Sequence, residues 1–286
     1  MLPIARWSMK GTPQAAAIVL LTSIAPFLMV FWFGSAIVAL VALRRGVTNS
    51  LPVAAASLVP AGWWWTQGEP VPLATTLLAL LMAAVLRSRV RWSEALIAGA
   101  VGGMVLTQLG VYASGLDTGL LLEQMRQAWP DYVSMIDQMA AEYGISSQQM
   151  LTELIVLVRA CAAPSLAVLA LILARAWQAG LYNPGGFREE FHALRLNSRE
   201  LLVLVALLAV GYITAHGEVA YLAGLPILMA GIGLIHGVVG RKGMNGVWLV
   251  AFYVMLIILQ PMILIVLVVA MLDTLLDIRR RLGHDN

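Results

Sequence analysis

Cysteine, histidine and charge are the scarce materials of this sequence. Its one cysteine, Cys161, lies in an apolar stretch. It can form neither an internal disulfide nor a multi-cysteine metal site, so a small core residue is its simplest role. Four histidines scattered through 286 residues do not build a zinc centre, and the chain contains no HExxH, GxSxG, P-loop or CxxC pattern. These absences point away from an enzyme, and no catalytic residue, metal ligand or cofactor is expected. Charged residues make up 12% of the chain against 60% hydrophobic ones. A soluble domain of that composition would carry more apolar surface than it could bury, so lipid is the main solvent.

The formal net charge of +3 is what a few arginines at cytoplasmic loop ends require. It gives no reason to expect nucleic acid as a partner. Arg6 and Lys10 precede an apolar run of 30 residues with no small-x-small cleavage pattern, so that segment is expected to be retained.

Apolar stretches recur at 14–43, 51–67, 70–86, 93–115, 150–176, 200–217, 225–240 and 244–276, and a membrane span takes about 20 such residues. The first and last are too long for one comfortable helix. Each holds a proline near its middle, Pro26 and Pro261, which suggests two short helices apiece. Basic residues test that division, because Lys and Arg near span ends stay cytoplasmic. The clusters are Arg6 with Lys10, Arg44 with Arg45, the Arg87, Arg89, Arg91 group, the arginines from Arg175 to Arg199, Arg241 with Lys242, and Arg279 to Arg281. Splitting both long stretches puts 16 of the 18 basic residues on one side, leaving Arg126 in an external loop and Arg159 inside a span. The expected fold is an all-α, polytopic transmembrane helical bundle of 8 to 10 spans with both termini cytoplasmic, residues 1–286 forming a single integral domain. A bacterial inner (cytoplasmic) membrane is the expected location, with membrane lipid around it.

Residues 116–149 form the one long external segment, an extracytoplasmic helical insertion. Asp117, Glu123, Asp131, Asp137 and Glu142 oppose Arg126 there, a balance of −4. Val133, Ile136, Met139, Ala140 and Tyr143 recur at helical spacing, Asp131 can cap that helix and Gly144 can end it. Ser146 followed by Gln149 reads as a capping box opening the next span. The resulting flap is either a lid over a pocket or a structural element. On the cytoplasmic side, the loop 177–199 carries the turn-forming Asn183, Pro184, Gly185 and Gly186. It then sets Phe187, Phe191, Leu194 and Leu196 on one side of a short amphipathic helix. That helix can orient the chain, or dock a partner through Phe187 and Phe191.

Ionisable groups inside a membrane cost about 2.5 to 3.5 kcal/mol on insertion scales, and each invites a functional reading. Arg159 is the clearest. Glu153 lies six positions earlier and points roughly 120° away around the helix, so the two do not pair along one face. Arg159 can hold an anionic ligand or lipid phosphate, or pair with a polar group inside the bundle. Gln108, Tyr112, Glu153, His216 and Glu218 complete the candidate substrate-binding set. Each also has a plain reading as interfacial solvation or interhelical bonding, as has Gln260. His236, near an inner end, reads as a packed residue. Asp273 and Asp277 share a helical face and suit salt bridges to the following arginines better than a cation. Gly99 with Gly103, and Gly233 with Gly237, form GxxxG pairs that let helices approach closely. Trp63, Trp64 and Trp65 suit an aromatic belt.

The helix broken near Pro26, the external helix ending in Gly144, Ile145 and Ser146, the span with Pro164, the loop 183–196 and the terminal Asp273-x3-Asp277-x-Arg279 carry a resemblance. Together they resemble the YybS-like family of bacterial inner-membrane proteins over most of the chain. That family is similar in hydrophobic layout to the substrate-binding S components of energy-coupling-factor vitamin transporters, and the resemblance implies a transport-like role. In S components a small-residue face of the first helix docks the coupling subunit. Ala15 and Ala16, with Ala17 and Leu20, stand where such a face would lie. More than the usual six spans departs from that pattern.

Two functions from different classes stay open, and a third has its own requirement. A substrate-binding subunit would capture a small-molecule ligand or lipid beneath the flap, and predicts a polar cavity near Arg159. A non-catalytic assembly partner of other membrane protein subunits predicts a filled core and an exposed apolar or glycine-rich face. An enzyme acting on lipid carriers would need acids or histidines clustered at one cavity. With no ATP-binding motif in the chain, active transport would draw on another subunit or an ion gradient.

Overall fold

The computed structural model describes residues 2–24, 29–113, 115 and 117–281, and among them every regular element is helical. A short α1 (Leu2–Ser8) leads into α2 (Thr12–Ser23), which has Pro13 in its first turn, where a missing N–H costs nothing. After α3 (Phe31–Arg45) come α4 (Val47–Thr66), α5 (Val71–Arg89) and α6 (Trp92–Gln108). A helical hairpin, α7 (Thr118–Ala128) and α8 (Pro130–Tyr143), precedes α9 (Ser147–Tyr182), which runs for 36 residues. The chain continues through α10 (Gly186–His192), α11 (Ser198–Ile213), α12 (Gly217–Arg241), α13 (Val247–Ile258), α14 (Pro261–Leu276) and α15 (Ile278–Arg281).

The axis of the bundle is α3. Every residue from Gly34 to Leu43 is buried, as suits a helix apolar on all sides, and α2, α4, α5 and α9 enclose it. Alanine, glycine and serine in this stretch let backbones come close, which matters where lipid removes any hydrophobic drive between helices. The hydroxyls buried there bond to one another. Ser35 Oγ lies 2.9 Å from Thr76 Oγ1, Thr76 lies 3.1 Å from Ser57, and Ser57 lies 3.2 Å from Ser23, so one chain of hydroxyls ties four helices together.

Among the described residues three helices, α5, α9 and α12, are each long and apolar enough to cross a membrane. The pair α13 and α14 passes the same test together, although bent by 119° at the junction. Pro261 opens α14 and cannot donate a backbone N–H to the turn before it, so the 244–276 stretch breaks where the proline stands. The 14–43 stretch is likewise two helices; Pro26, expected at its break, lies outside the described residues. Its halves run antiparallel. Arg45 Nη2 donates to the carbonyl of Met9 at 2.6 Å near one end, and nearer the other Gly34 stands against Val19 and Thr22.

At about 1.5 Å per residue, α9 is far longer than a hydrocarbon core of roughly 30 Å. The flap packs on its first turns, with Ile136 and Ala140 buried against Met150 and Leu151. Beyond the helix expected from residue spacing, the flap contains α7, capped by the Asp117 carboxylate accepting from the Leu120 N–H at 3.0 Å. Trp129, not Asp131, is the N-cap of α8. Asp131 stands inside the first turn, where a negative charge favours the helix dipole without capping. Gly144 ends the helix at φ 66° as expected, but Tyr143 beside it is exposed, because the chain turns away there. Ser146 accepts from the Gln149 N–H at 3.1 Å, while the Gln149 side chain bonds Glu153 instead of returning to Ser146. Only half of the expected capping box forms.

Candidate functional site

Arg159 lies where α9 passes two turns, one between α4 and α5 and one after α6. Its Nη2 donates to the carbonyl of Gly68 at 2.6 Å and its Nη1 to the carbonyl of Tyr112 at 3.0 Å. Those turns touch: a Cβ on Gly68, whose φ is 86°, would stand 2.8 Å from the carbonyl oxygen of Gly115. The guanidinium is a clamp on backbone, and it lines none of the three main cavities among the described residues.

Of the other expected site residues, only Tyr112 joins Arg159, and it does so through its backbone. Its ring is wholly buried among Ala74, Ala160 and Ala163, and its hydroxyl finds no partner among the described residues. Glu153 is engaged by Gln149, Gln108 is exposed at the end of α6, and His216 pairs with Glu218 at 3.3 Å with its ring largely exposed. A hydroxyl pair missed by the sequence reading, Ser165 with Tyr221 at 2.5 Å, joins α9 to α12.

The opposite end gathers the arginines around α10. Phe187 and Phe191 turn inward: their ring centroids lie 6.0 and 6.4 Å from that of Trp92, and Phe191 meets the ring of His236 at 5.4 Å. They serve internal packing rather than an exposed docking face. Beneath α10 runs the glycine side of α12. A Cβ on Gly233 would meet the Phe191 carbonyl at 2.7 Å, and one on Gly237 the His192 carbonyl at 3.1 Å. Gly103 likewise faces Pro164 and Leu222, so both GxxxG pairs are used within the bundle. On α2, Ala15 is buried and Ala16 half-buried.

Most arginines at this end are engaged. Arg175 pairs with Glu190, its Nε donating to Oε2 at 2.8 Å, and the Trp92 N–H adds a bond at 3.4 Å. Burial pushes the Glu190 carboxyl up, but the hydrogen bond and charge of Arg175 outweigh it and hold the group below the usual carboxylate range. Asp273 and Asp277 form salt bridges, though not at helical i,i+4 spacing. Asp277 adopts φ 52° and ends α14, so Asp273 meets Arg279 at 2.8 Å and Asp277 meets Arg195 at 2.7 Å. No cluster of acids, histidines and cysteine able to hold a metal occurs among the described residues.

Three cavities stand out. One, of about 460 Å³, lies between α10, α12 and the turn into α13 and is lined by Arg188, His192, His236 and Gly240. An apolar groove of about 280 Å³ runs between α6 and α11, past Ile97, Val101, Met104 and Val203 to Arg199. A third, of about 460 Å³, opens on the flap beside Met125, Trp129, Tyr132 and Met135. Arg188 and Arg199 belong to a cluster read from sequence only as an orientation signal. What could have marked them is that Arg188 falls one turn before His192 and Arg199 opens the 200–217 span.

A search of the curated proteins finds no match, and a search of the solved structures finds none either. One family model does match, over residues 15–274, from the first turn of α2 almost to the end of α14. It describes a membrane protein, in keeping with the apolar helices of spanning length. With that share of its 286 residues matched, the chain belongs to the family described as Predicted membrane protein (DUF2232).

Proposed function

We propose that this membrane protein is a non-catalytic ligand-binding subunit of the transporter-like kind, and that its ligand is an anionic lipid held between α6 and α11. One observation carries the reading. The groove there has apolar walls, and at its mouth stands Arg199, whose guanidinium has no ion pair or hydrogen bond among the described residues. Glu200 beside it is occupied, accepting from Arg91 and Ser93 at 3.2 Å each. An unbalanced guanidinium at the end of an apolar groove fits an anionic head on an apolar tail. The resemblance to the YybS-like family and to S components supports the transport side of the reading, with energy drawn from another chain or an ion gradient. The site moves away from Arg159 because the bonds of that side chain go to loop carbonyls.

In the topology that accompanies this reading, α2, α3, α4, α5, α6, α9, α11 and α12 each pass through a bacterial inner membrane. The bent pair dips in or crosses twice, for 8 to 10 spans. The arginine-rich end and both termini face the cytoplasm, as basic residues dictate. The groove then opens to the cytoplasmic leaflet.

An assembly role draws on a different observation, the exposed Trp129, Tyr132 and Met135 on the flap. One experiment separates the two. After purification in maltoside, native mass spectrometry of the wild-type protein is expected to find a retained anionic lipid. Val101→Trp, which fills the groove, should lose it, and Arg199→Gln should hold it more weakly. A stoichiometric protein partner with no lipid in any form would overturn the binding reading in favour of assembly.

A further inference from the structure

We propose that the cavity between α10, α12 and the turn into α13 is a binding site for a phosphate group, independent of the α6–α11 groove. Its lining holds Arg188, His192 and His236 with no acidic side chain.

Three features converge on it. The guanidinium of Arg188 makes no hydrogen bond or ion pair among the described residues. Three other arginines at this end are engaged, Arg175 by Glu190, Arg195 by Asp277 and Arg279 by Asp273. Gly240 leaves open the space that the donors share. A Cβ there would stand 3.1 Å from His192 Nδ1 and 3.2 Å from Arg188 Nη2. His236 is held by Tyr253, whose hydroxyl lies 2.8 Å from Nε2, with its ring centroid 6.3 Å from that of His192. When Tyr253 donates to Nε2, the proton of a neutral His236 sits on Nδ1, which is then a donor.

A guanidinium, two imidazoles and a glycine-rich turn with Gly243 and Gly246 suit an anion that accepts hydrogen bonds in several directions at once. Phosphate does this better than a planar carboxylate. The groups facing His192 are Arg188 on its own helix, His236 and Arg241 on α12, and Arg279 on α15. Burial first, and then those arginines, hold the His192 pKa below its ordinary value. A bound dianion reverses that field, so binding takes up a proton.

The test uses the full chain, labelled with ¹⁵N-histidine, in maltoside micelles, which contain no phosphate. Inorganic phosphate is titrated near neutral pH, with ring signals assigned from His192→Gln and His236→Gln. The expected result is a saturable shift of the His192 and His236 signals toward the protonated form, with His216 unmoved. Arg188→Gln, whose fold a thermal melt checks, should raise the half-saturating concentration about tenfold or more. Gly240→Ala keeps every donor but crowds them, and should weaken the response likewise. Val101→Trp should leave it unchanged. A parallel titration with phosphatidic acid identifies the source. Saturation far below the inorganic phosphate concentration marks a lipid headgroup, and a response to inorganic phosphate at least as strong marks a soluble phosphate. No shift with either probe, or an Arg188→Gln response equal to wild type, overturns the site.

Discussion

Arg159 donates to the carbonyl of Gly68 at 2.6 Å, fastening the first half of α9 to the turn that joins α4 to α5. With its second bond, to Tyr112, it holds two turns against one helix. Arg159→Ala leaves two carbonyls without their cationic donor, a loss of roughly 1 to 3 kcal/mol. The expected outcome is a lower thermal midpoint in detergent with lipid retention unchanged. Arg159→Lys should recover only part of the stability, because an ammonium lacks the planar fork that reaches both carbonyls. A variant that melts like wild type yet loses its lipid would return Arg159 to a ligand-binding role.

Gly68 and Gly144 offer a matched comparison, since both take positive φ, 86° and 66°. A Cβ on Gly144 meets nothing within 4 Å, whereas one on Gly68 stands 2.8 Å from backbone of Gly115. Gly144→Ala should cost only the left-handed conformation, about 1 kcal/mol. Gly68→Ala adds a clash that no side-chain rotation relieves, and should unfold at a distinctly lower temperature. Equal melting points for the two variants would show that the 67–70 turn can shift away from Gly115.

How far the fold was legible follows from which forces act locally. Basic clusters and apolar run lengths are one-dimensional signals, and they place α4, α5 and α11 to within a few residues, whereas α6 ends well before residue 115 and α12 begins well before residue 225. The break at Pro261 was legible because a missing N–H acts on its own turn. Helix α7 escaped the spacing argument, its cap at Asp117 notwithstanding. The hydroxyl chain from Ser23 to Ser35 joins residues far apart in sequence, and no local pattern announces it. The site was less legible still. Arg188, Arg195 and Arg199 look alike in sequence, and only tertiary placement gives Arg195 a carboxylate. A GxxxG pair similarly states that something approaches, but not that the visitor is α10 of the same chain.

Glu190 gives a pH dependence with a definite sign. Arg175 holds its carboxyl below the usual range in the folded protein. The stabilisation is therefore complete above the unfolded-state value, near 4.3 for glutamate, and is lost as pH falls through the folded one. Both side chains are partly exposed, so solvent screening limits the effect to about 1 kcal/mol. Glu190→Gln should melt below wild type at neutral pH, and the two curves should converge in acid. Parallel curves across the whole range would mean that the Arg175 ion pair contributes nothing to stability.

Asp273 and Arg279 make the most deeply buried ion pair described, with side chains 2% and 9% exposed. The geometry exists because Asp277 turns the chain back, so that Arg279 also donates to the carbonyls of His192 and Leu194 at 2.6 Å each. Asp273→Ala strands a buried guanidinium and should cost about 3 to 5 kcal/mol, the range for breaking a buried pair. Arg279→Met strands the carboxylate and the two carbonyls, so its cost should be at least as large. The double variant removes both charges together and should be less destabilised than the sum of the singles by about 1 kcal/mol or more. It should still fall short of wild type, since the carbonyls of His192 and Leu194 lose the Arg279 donor. Unfolding titrations in mixed micelles measure all four corners of this cycle. Strict additivity would show that Arg279 serves only as a bracket for backbone and draws nothing from Asp273.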